Sequence, residues 1–387
     1  MALELYVRPG IREYLEDLEE VEASDFTFPT ECNRLDDINY LKELMAPYLH
    51  LQQYYNTEEK YPPILKGEEF RVTHKVAKGG QGSVVLAKFV NDEDEAKYVL
   101  KIQHSRNEGK DRDLLFEYML QEEAHSLLKG SCTVPEPIGF IRQHAEPPYG
   151  YIMVARFVPL YPGASNSVIL KTAALKHKET PLLSIKDWRD IFLSLITAFE
   201  TLQAHDIYHN DVKDNNIILR FYENNIEPVI IDFGLATRNY SHKAFTNPDG
   251  SETYFRKRSK EVREKDRPYL CPVLFEQRDP IATSDLYGVS YLLWAFGHHL
   301  NLPIVYAAMA EYRAIEPTRR PGFQSFFQQV NNAFQWELQK GTEAVEEDTT
   351  EETDEVKHLW TKTEGKLTTV SFSYVCVCVC LCFLYRR

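Results

Sequence analysis

Tyr208-His209-Asn210-Asp211-Val212-Lys213-Asp214-Asn215-Asn216-Ile217-Ile218-Leu219 is the stretch whose reading decides the fold. Apolar residues lead into it and out of it, so its ends belong to a core, while a carboxylate, a lysine and an amide stand between them at Asp211, Lys213 and Asn216. A proton acceptor, a cation for phosphate and an oxygen ligand for a hard metal are the parts phosphoryl transfer needs. Downstream, Pro228-Val229-Ile230-Ile231 reads as a buried strand running straight into Asp232-Phe233-Gly234. That order places a second carboxylate at a strand end, where Mg²⁺ could be gripped between Asp232 and Asn216. A His-x-Asp segment alone is usually just a loop; the two segments together in this order are much harder to reach by chance.

Upstream, the pattern from Phe70 is one of strands: Phe70–Val76, Ser83–Phe89, Tyr98–Ile102 and Tyr151–Ala155. Ala77-Lys78-Gly79-Gly80-Gln81-Gly82 lies between the first two, and glycines in a strand-turn-strand let backbone N–H groups approach a polyphosphate that a Cβ would block. A glycine-bearing hairpin turn is also a common object and carries little by itself. Lys101 stands inside the apolar run Tyr98-Val99-Leu100-Lys101-Ile102, which is costly unless it meets an anion or a carboxylate. A helix is expected over Leu114–Leu128, with Leu115, Met119, Ala124 and Leu127 on its apolar face. Glu122 or Glu123 could reach the lysine, and Leu127 one turn beyond Glu123 favours Glu123.

The second half reads as helical. Trp188, Ile191, Phe192, Leu195 and Phe199 mark one face of a helix beginning near Ser184. Ser284–Trp294 reads as a deeply buried helix whose one carboxylate, Asp285, sits at its N-terminal end, where it can accept backbone hydrogen bonds. Glu316–Pro321 is expected to open the last helix.

Composition limits the functional classes. The chain has 387 residues, 43% of them hydrophobic, enough for one large or two modest cores, and a net charge of −14. That acidic balance argues against nucleic acid or an anionic membrane as the main partner. Met1–Gly10 lacks the apolar run of a secretory signal, and the cysteines outside the tail are scattered, which fits a reducing, cytoplasmic or nuclear, location and neither a disulfide framework nor a zinc site.

The termini are organised differently from the middle. Residues 1–67 read as a helical extension, with Ile11–Leu18 as one short acidic piece and Leu35, Ile38, Leu41, Met45 and Tyr48 at helical spacing; a regulatory or partner-binding arm is the alternative. Pro62-Pro63 marks the start of the main domain, 68–337. Residues 338–387 form a tail in which Glu343–Glu355 is expected to stay solvated and disordered. The Val375–Leu384 run is shorter than the roughly 20 apolar residues a spanning helix needs. Its Val-Cys alternation is what a repeated GT dinucleotide encodes, so we read it as translated simple repeat, with a tail anchor or a palmitoylated or metal-binding cysteine tract as alternatives.

Taken together in chain order, these motifs resemble the eukaryotic protein kinase superfamily between about Phe70 and Phe334. Lys213, two residues past Asp211, is similar to the serine/threonine kinases. The resemblance implies an α+β, two-lobed fold, with a β-rich N-lobe over a helical C-lobe and ATP and Mg²⁺ between them. It implies that Val76, Ala77, Lys78, Gly79, Gly80, Gln81, Gly82 and Val84 cover the nucleotide, and that Lys101, held by Glu123, positions its phosphates. Phe157 and Val158 fall at the adenine-binding hinge, with Ala155 at the gatekeeper. Asp211 is implied as proton acceptor, Lys213 as partner of the γ-phosphate, and Asn216 and Asp232 as Mg²⁺ ligands. The implied partner is a protein with a Ser or Thr acceptor.

Five departures mark the chain. Ala77 replaces the first loop glycine, Asn210 replaces the arginine of H-R-D, Cys271-Pro272-Val273 replaces A-P-E without a glutamate for Arg320, the segment from Asp232 to Pro272 is long, and the stretch from Asp285 to Arg320 is short. Asn210, Val273 and the shortened second lobe motivate a second expectation, a pseudokinase or scaffold that binds nucleotide or protein without efficient catalysis. A small-molecule phosphotransferase of kinase-like fold is a third, opposed by the D-F-G turn and the Asp285 helix.

Overall fold

The computed structural model describes residues 19–20, 34–46, 61–78, 82–91, 98–128, 130, 132–157, 166–177, 183–222, 225–238, 245–246, 252–253, 267–275 and 280–343. The expected pieces at Ile11–Leu18, Gly79-Gly80-Gln81, Val158 and the tail beyond Glu343 lie outside those residues.

The first elements in chain order are β1 (Glu19–Glu20), α1 (Arg34–Met45), β2 (Ile64–Leu65), β3 (Phe70–Lys78), β4 (Gly82–Phe89), β5 (Tyr98–Gln103), α2 (Glu108–Leu127), β6 (Pro137–Ile141) and β7 (Ile152–Arg156). Their strands build one seven-stranded sheet, ordered β1-β3-β4-β5-β7-β6-β2, antiparallel except where β2 runs parallel to β6. Alternation in β5 buries Leu100 and Ile102 in one cluster with Val85, Ile152 and Val154. The opposite side packs on α2 through Leu115, Met119, Phe140, Tyr151 and Met153. The α2 helix begins six residues before the expected Leu114, because Asn107 caps it by accepting the Lys110 N–H at 2.9 Å.

Helix α1 joins this lobe as part of its core, with Tyr40, Leu41, Leu44 and Met45 in the same cluster as α2. Two buried carboxylates fasten it. Asp37 accepts from Arg142 Nε at 2.5 Å and from the Tyr151 hydroxyl at 2.7 Å. Asp111, in the first turn of α2, accepts from the Tyr40 hydroxyl at 3.0 Å and from the backbone N–H groups of Gly150 and Tyr151 at 3.2 and 2.9 Å.

The second lobe contains β8 (Asn166–Ile169), α3 (Leu170–His177), α4 (Ile185–Ala204), β9 (Ile207–Tyr208), β10 (Ile217–Phe221), β11 (Ile226–Ile230), β12 (Thr237–Arg238), α5 (Pro272–Phe275), α6 (Ser284–His299), α7 (Pro303–Ala314) and α8 (Phe323–Glu343). Helix α4 starts where expected: Ser184 and Asp187 exchange a reciprocal capping box at 3.1 and 2.8 Å. Trp188, Ile191, Phe192, Leu195 and Phe199 are all buried, against Phe296 of α6 and Phe334 of α8 among others. A 3₁₀ turn at Pro317–Arg319 precedes α8, so the last helix opens a few residues later than the sequence suggests. Antiparallel pairing of β10 with β11 carries the chain directly from one site motif to the other, with Ile217 opposite Ile230. Among the described residues no helix is long and apolar enough to cross a membrane.

Candidate active site

Asp285 organises the loop from Tyr208 to Leu219, accepting backbone hydrogen bonds as its position at the start of its helix suggests. Its two oxygens accept the N–H groups of His209 and Asn210, each at 2.8 Å, and Thr283 takes the N-cap position. Helix α6 packs so close to the loop that a Cβ on Gly288 would meet Val212 Cβ at 2.6 Å. His209 is wholly buried, its Nε2 is paired with the Ile231 carbonyl at 3.0 Å, and its ring lies edge-on to Phe233 at 5.0 Å. The first motif is thereby locked onto the second.

Asn210 has φ 59°, a left-handed conformation that asparagine tolerates better than most residues. Its Nδ2 donates to the carbonyls of Tyr208 and Leu235 at 3.2 and 3.3 Å and to Thr237 Oγ1 at 2.7 Å. The residue that replaces arginine is therefore committed to the base of β12.

Asp211 Oδ2 accepts from Lys213 Nζ at 2.7 Å and from Asn216 Nδ2 at 3.0 Å, while Asn216 Nδ2 also reaches the Asp211 carbonyl at 2.9 Å. Burial opposes charge on this carboxylate, but the charge and hydrogen bond of Lys213 together with the charge of Arg267 outweigh it, and the pKa of Asp211 lies below the ordinary aspartate value. Asp211 is therefore an ionised acceptor at neutral pH.

On the other wall, Lys101 projects from β5 and donates to Glu117 of α2 and to Asp232 Oδ1 at 3.1 Å. Burial works against its charge; Asp232 and Glu117 more than offset it, so Lys101 holds its proton more tightly than an ordinary lysine. The expected partner, Glu123, is elsewhere: it pairs with Arg238 of β12. Six residues along a helix is about 1.7 turns, so Glu117 and Glu123 face different directions. The neighbouring Leu127, which suggested Glu123, packs on the core of the helical lobe and not on the sheet. Glu117 carried its own signal in the sequence: it is a single carboxylate inside Leu114-Leu115-Phe116-Glu117-Tyr118-Met119-Leu120. That is the same pattern that singled out Lys101.

Asp232 has φ 64°, and its Oδ1 also accepts from the Gly234 N–H at 3.2 Å. A Cβ on Gly234 would meet that oxygen at 2.8 Å, so the glycine leaves room for the carboxylate. Asp232 and Asn216 offer a carboxylate and an amide oxygen, hard ligands that suit Mg²⁺ completed by phosphate oxygens and water. The amide nitrogen of Asn216 is spent on Asp211, which assigns the amide oxygen to any metal contact. Among the described residues no group of three or more His, Cys, Asp or Glu side chains is placed to hold a metal ion.

Of the residues expected to cover a nucleotide, Ala77 and Lys78 pair in register with Val84 and Ser83, Val76 lies in β3, Gly82 and Val84 are buried in β4, and Gly79, Gly80 and Gln81 are outside the described residues. Ala155 lies in β7 opposite Val99, and Phe157 just beyond the strand is buried. The missing glutamate of the third departure is replaced differently. Arg320 donates to Cys271 Sγ at 3.4 Å and lies over the Tyr287 ring at 4.4 Å. Tyr269 is a site residue that the sequence did not reveal: its hydroxyl donates to Asp211 Oδ1 at 3.0 Å.

A strand-rich lobe and a helical lobe that bring these side chains together define a two-lobed, kinase-like fold. Residues 70–273, just over half of the chain, match the family described as "Protein kinase domain", and the chain belongs to that family. It is similar to the serine/threonine-protein kinase ksp1 of Schizosaccharomyces pombe, 28% identical over 181 residues, which is 46% of this chain and 35% of that protein. It is also similar to the serine/threonine-protein kinase PknA of Nostoc sp., 40% identical over 63 residues, 16% of this chain and 11% of that protein. The chain thus spans about a third or less of the length of these relatives.

Proposed function

We propose that this protein is an active serine/threonine protein kinase that transfers the γ-phosphoryl group of Mg-ATP to a protein hydroxyl. One observation carries the reading: two charged clusters, Lys101–Glu117–Asp232 and Lys213–Asp211–Asn216, stand on motifs joined through His209 and the Ile231 carbonyl. Bound Mg-ATP supplies the phosphoryl group and the metal charge that neutralises it. Lys101, oriented by Glu117, binds phosphate oxygens. Asn216 and Asp232 would hold Mg²⁺, and the adenine would lie against the segment at Phe157, the expected hinge. Asp211 accepts the proton of the attacking hydroxyl, and Lys213 neutralises charge beside it. The kinase domain in this reading covers 68–337, and α1 of the preceding extension is fastened to it through Asp37 and Asp111. The protein acts inside the cell.

The scaffold reading has one observation in its favour, the engagement of both Asp211 oxygens by residues of this same chain. A single assay separates the two. Purified full chain with Mg²⁺ and labelled ATP is expected to phosphorylate itself or a Ser/Thr peptide library, and Asp211→Asn to lose about 10²–10⁴-fold in rate. Equal background incorporation in both proteins would establish the scaffold instead.

A further inference from the structure

The two oxygens of Asp211 are held by different groups. Oδ2 belongs to Lys213 and Asn216, as the proposed chemistry asks, and Oδ1 accepts the hydroxyl proton of Tyr269 at 3.0 Å. A general base for an alcohol must offer that alcohol a carboxylate lone pair. In this structure the hydroxyl making that contact is the chain's own.

Tyr269 is well held in this place. Its ring lies 6.3 Å from that of Tyr291 on α6, and the Lys213 ammonium is 5.8 Å from its centroid. The backbone turns there, with the Leu270 N–H donating to the Arg267 carbonyl at 3.0 Å. Leu270 and Cys271 immediately beyond it are buried, and Cys271 accepts from Arg320. The chain on its C-terminal side is therefore anchored. Burial and the neighbouring Asp211 charge push the phenol well above an ordinary tyrosine, so it stays a neutral donor.

We propose that Tyr269 occupies the acceptor-hydroxyl subsite and that a protein substrate must displace its phenol from Asp211 Oδ1 to react. This deepens the kinase reading and rests on it. Tyr269 is thus a specificity-determining residue: acceptors are selected by how well they replace a phenol hydrogen bond to a buried carboxylate. A segment that seats its hydroxyl firmly succeeds, and a loosely held one does not.

The test is steady-state peptide phosphorylation by the full chain, wild type beside Tyr269→Phe and Tyr269→Met, with melting curves as the folding control. Both variants keep bulk and lack the donor. The expected result is a KM for the acceptor peptide about tenfold lower in both, equivalent to about 1.4 kcal/mol, with the KM for ATP unchanged. A silent wild type beside active variants supports the proposal as well. An unchanged or raised peptide KM in folded, active variants overturns it and leaves the kinase reading standing. Phosphate found by mass spectrometry on Tyr269 of the wild type, absent from Asp211→Asn, also overturns it, since the phenol is then a substrate and not a competitor. Silence in all the proteins removes the kinase reading and this proposal together.

Discussion

The two lobes solve one problem with the same device and to different ends. In the helical lobe, Asp285 accepts two successive backbone N–H groups, from His209 and Asn210. In the strand-rich lobe, Asp111 accepts two successive backbone N–H groups, from Gly150 and Tyr151, and the Tyr40 hydroxyl as well. Each is a buried carboxylate on a helix that fixes a loop by its main chain. The loop on Asp285 carries Asp211; the segment on Asp111 only leads into β7 and secures α1. Similar hydrogen bonding thus holds the loop of the candidate site in one lobe and serves assembly in the other.

The most severe way to break that comparison is to remove both carboxylates. Asp285→Ala and Asp111→Ala each leave at least two buried N–H donors unpaired, at about 1–3 kcal/mol each. Both proteins should lose stability, at about 2–4 °C of melting temperature per kcal/mol for a domain of this size. Their activities should separate. Phosphotransfer per folded molecule is expected to fall by about 100-fold or more in Asp285→Ala, since about 2.7 kcal/mol of misplacement suffices for that. In Asp111→Ala it should fall by less than about tenfold, the factor of about 1.4 kcal/mol. Equal losses of rate would show that the Asp111 clasp governs the site too.

A smaller effect tests the two ends of α2. Glu117→Gln removes the charge beside Lys101, and the KM for ATP is expected to rise about tenfold, equivalent to about 1.4 kcal/mol of phosphate positioning. Glu123→Gln removes the charge beside Arg238, and a lower melting temperature with an unchanged KM for ATP is expected. A KM change confined to Glu123→Gln would make Glu123, and not Glu117, the partner of Lys101 in the working protein.

These comparisons also explain what could be read beforehand. The order of the lobes and the strands from Phe70 to Ala155 were legible, because each rests on local periodicity or on a motif of fixed spacing; of the expected site residues, the structure pairs Lys101 with Asp232 and Asp211 with Asn216. The helix around Glu117 was expected, but which glutamate meets Lys101 depends on where α2 lies across the sheet, and helical spacing alone does not give that. Asp37 with Arg142, Glu123 with Arg238, and Tyr269 with Asp211 join residues 105, 115 and 58 positions apart. No local pattern announces such pairs. The tyrosine was the hardest to foresee, since Arg267-Pro268-Tyr269 reads as one more turn after a charged run.

The smallest effect is one of pH, and it distinguishes two buried carboxylates by sign. Burial raises the pKa of Asp111, and its backbone and Tyr40 hydrogen bonds only partly offset this. Between the ordinary aspartate value near 3.8 and that raised value, the folded chain keeps a proton that the unfolded chain has released. Stability from this group is fully present below the ordinary value and is lost as pH rises through the folded one. Asp211 runs the other way. Lys213 and the neighbouring donors depress its pKa despite burial, so its contribution is present above about 3.8 and is lost as pH falls through the depressed folded value. Melting temperatures of wild type, Asp111→Asn and Asp211→Asn across acid pH check both signs. Asp111→Asn should remove a decline with rising pH above the ordinary value, and Asp211→Asn a decline with falling pH below it. Replacing Lys213 by Met leaves the burial of Asp211 unopposed by its nearest cation, so the acid limb of any remaining phosphotransfer should move to higher pH. An acid limb that stays in place would mean that another group sets it, and Asp211 would lose its role as the proton acceptor.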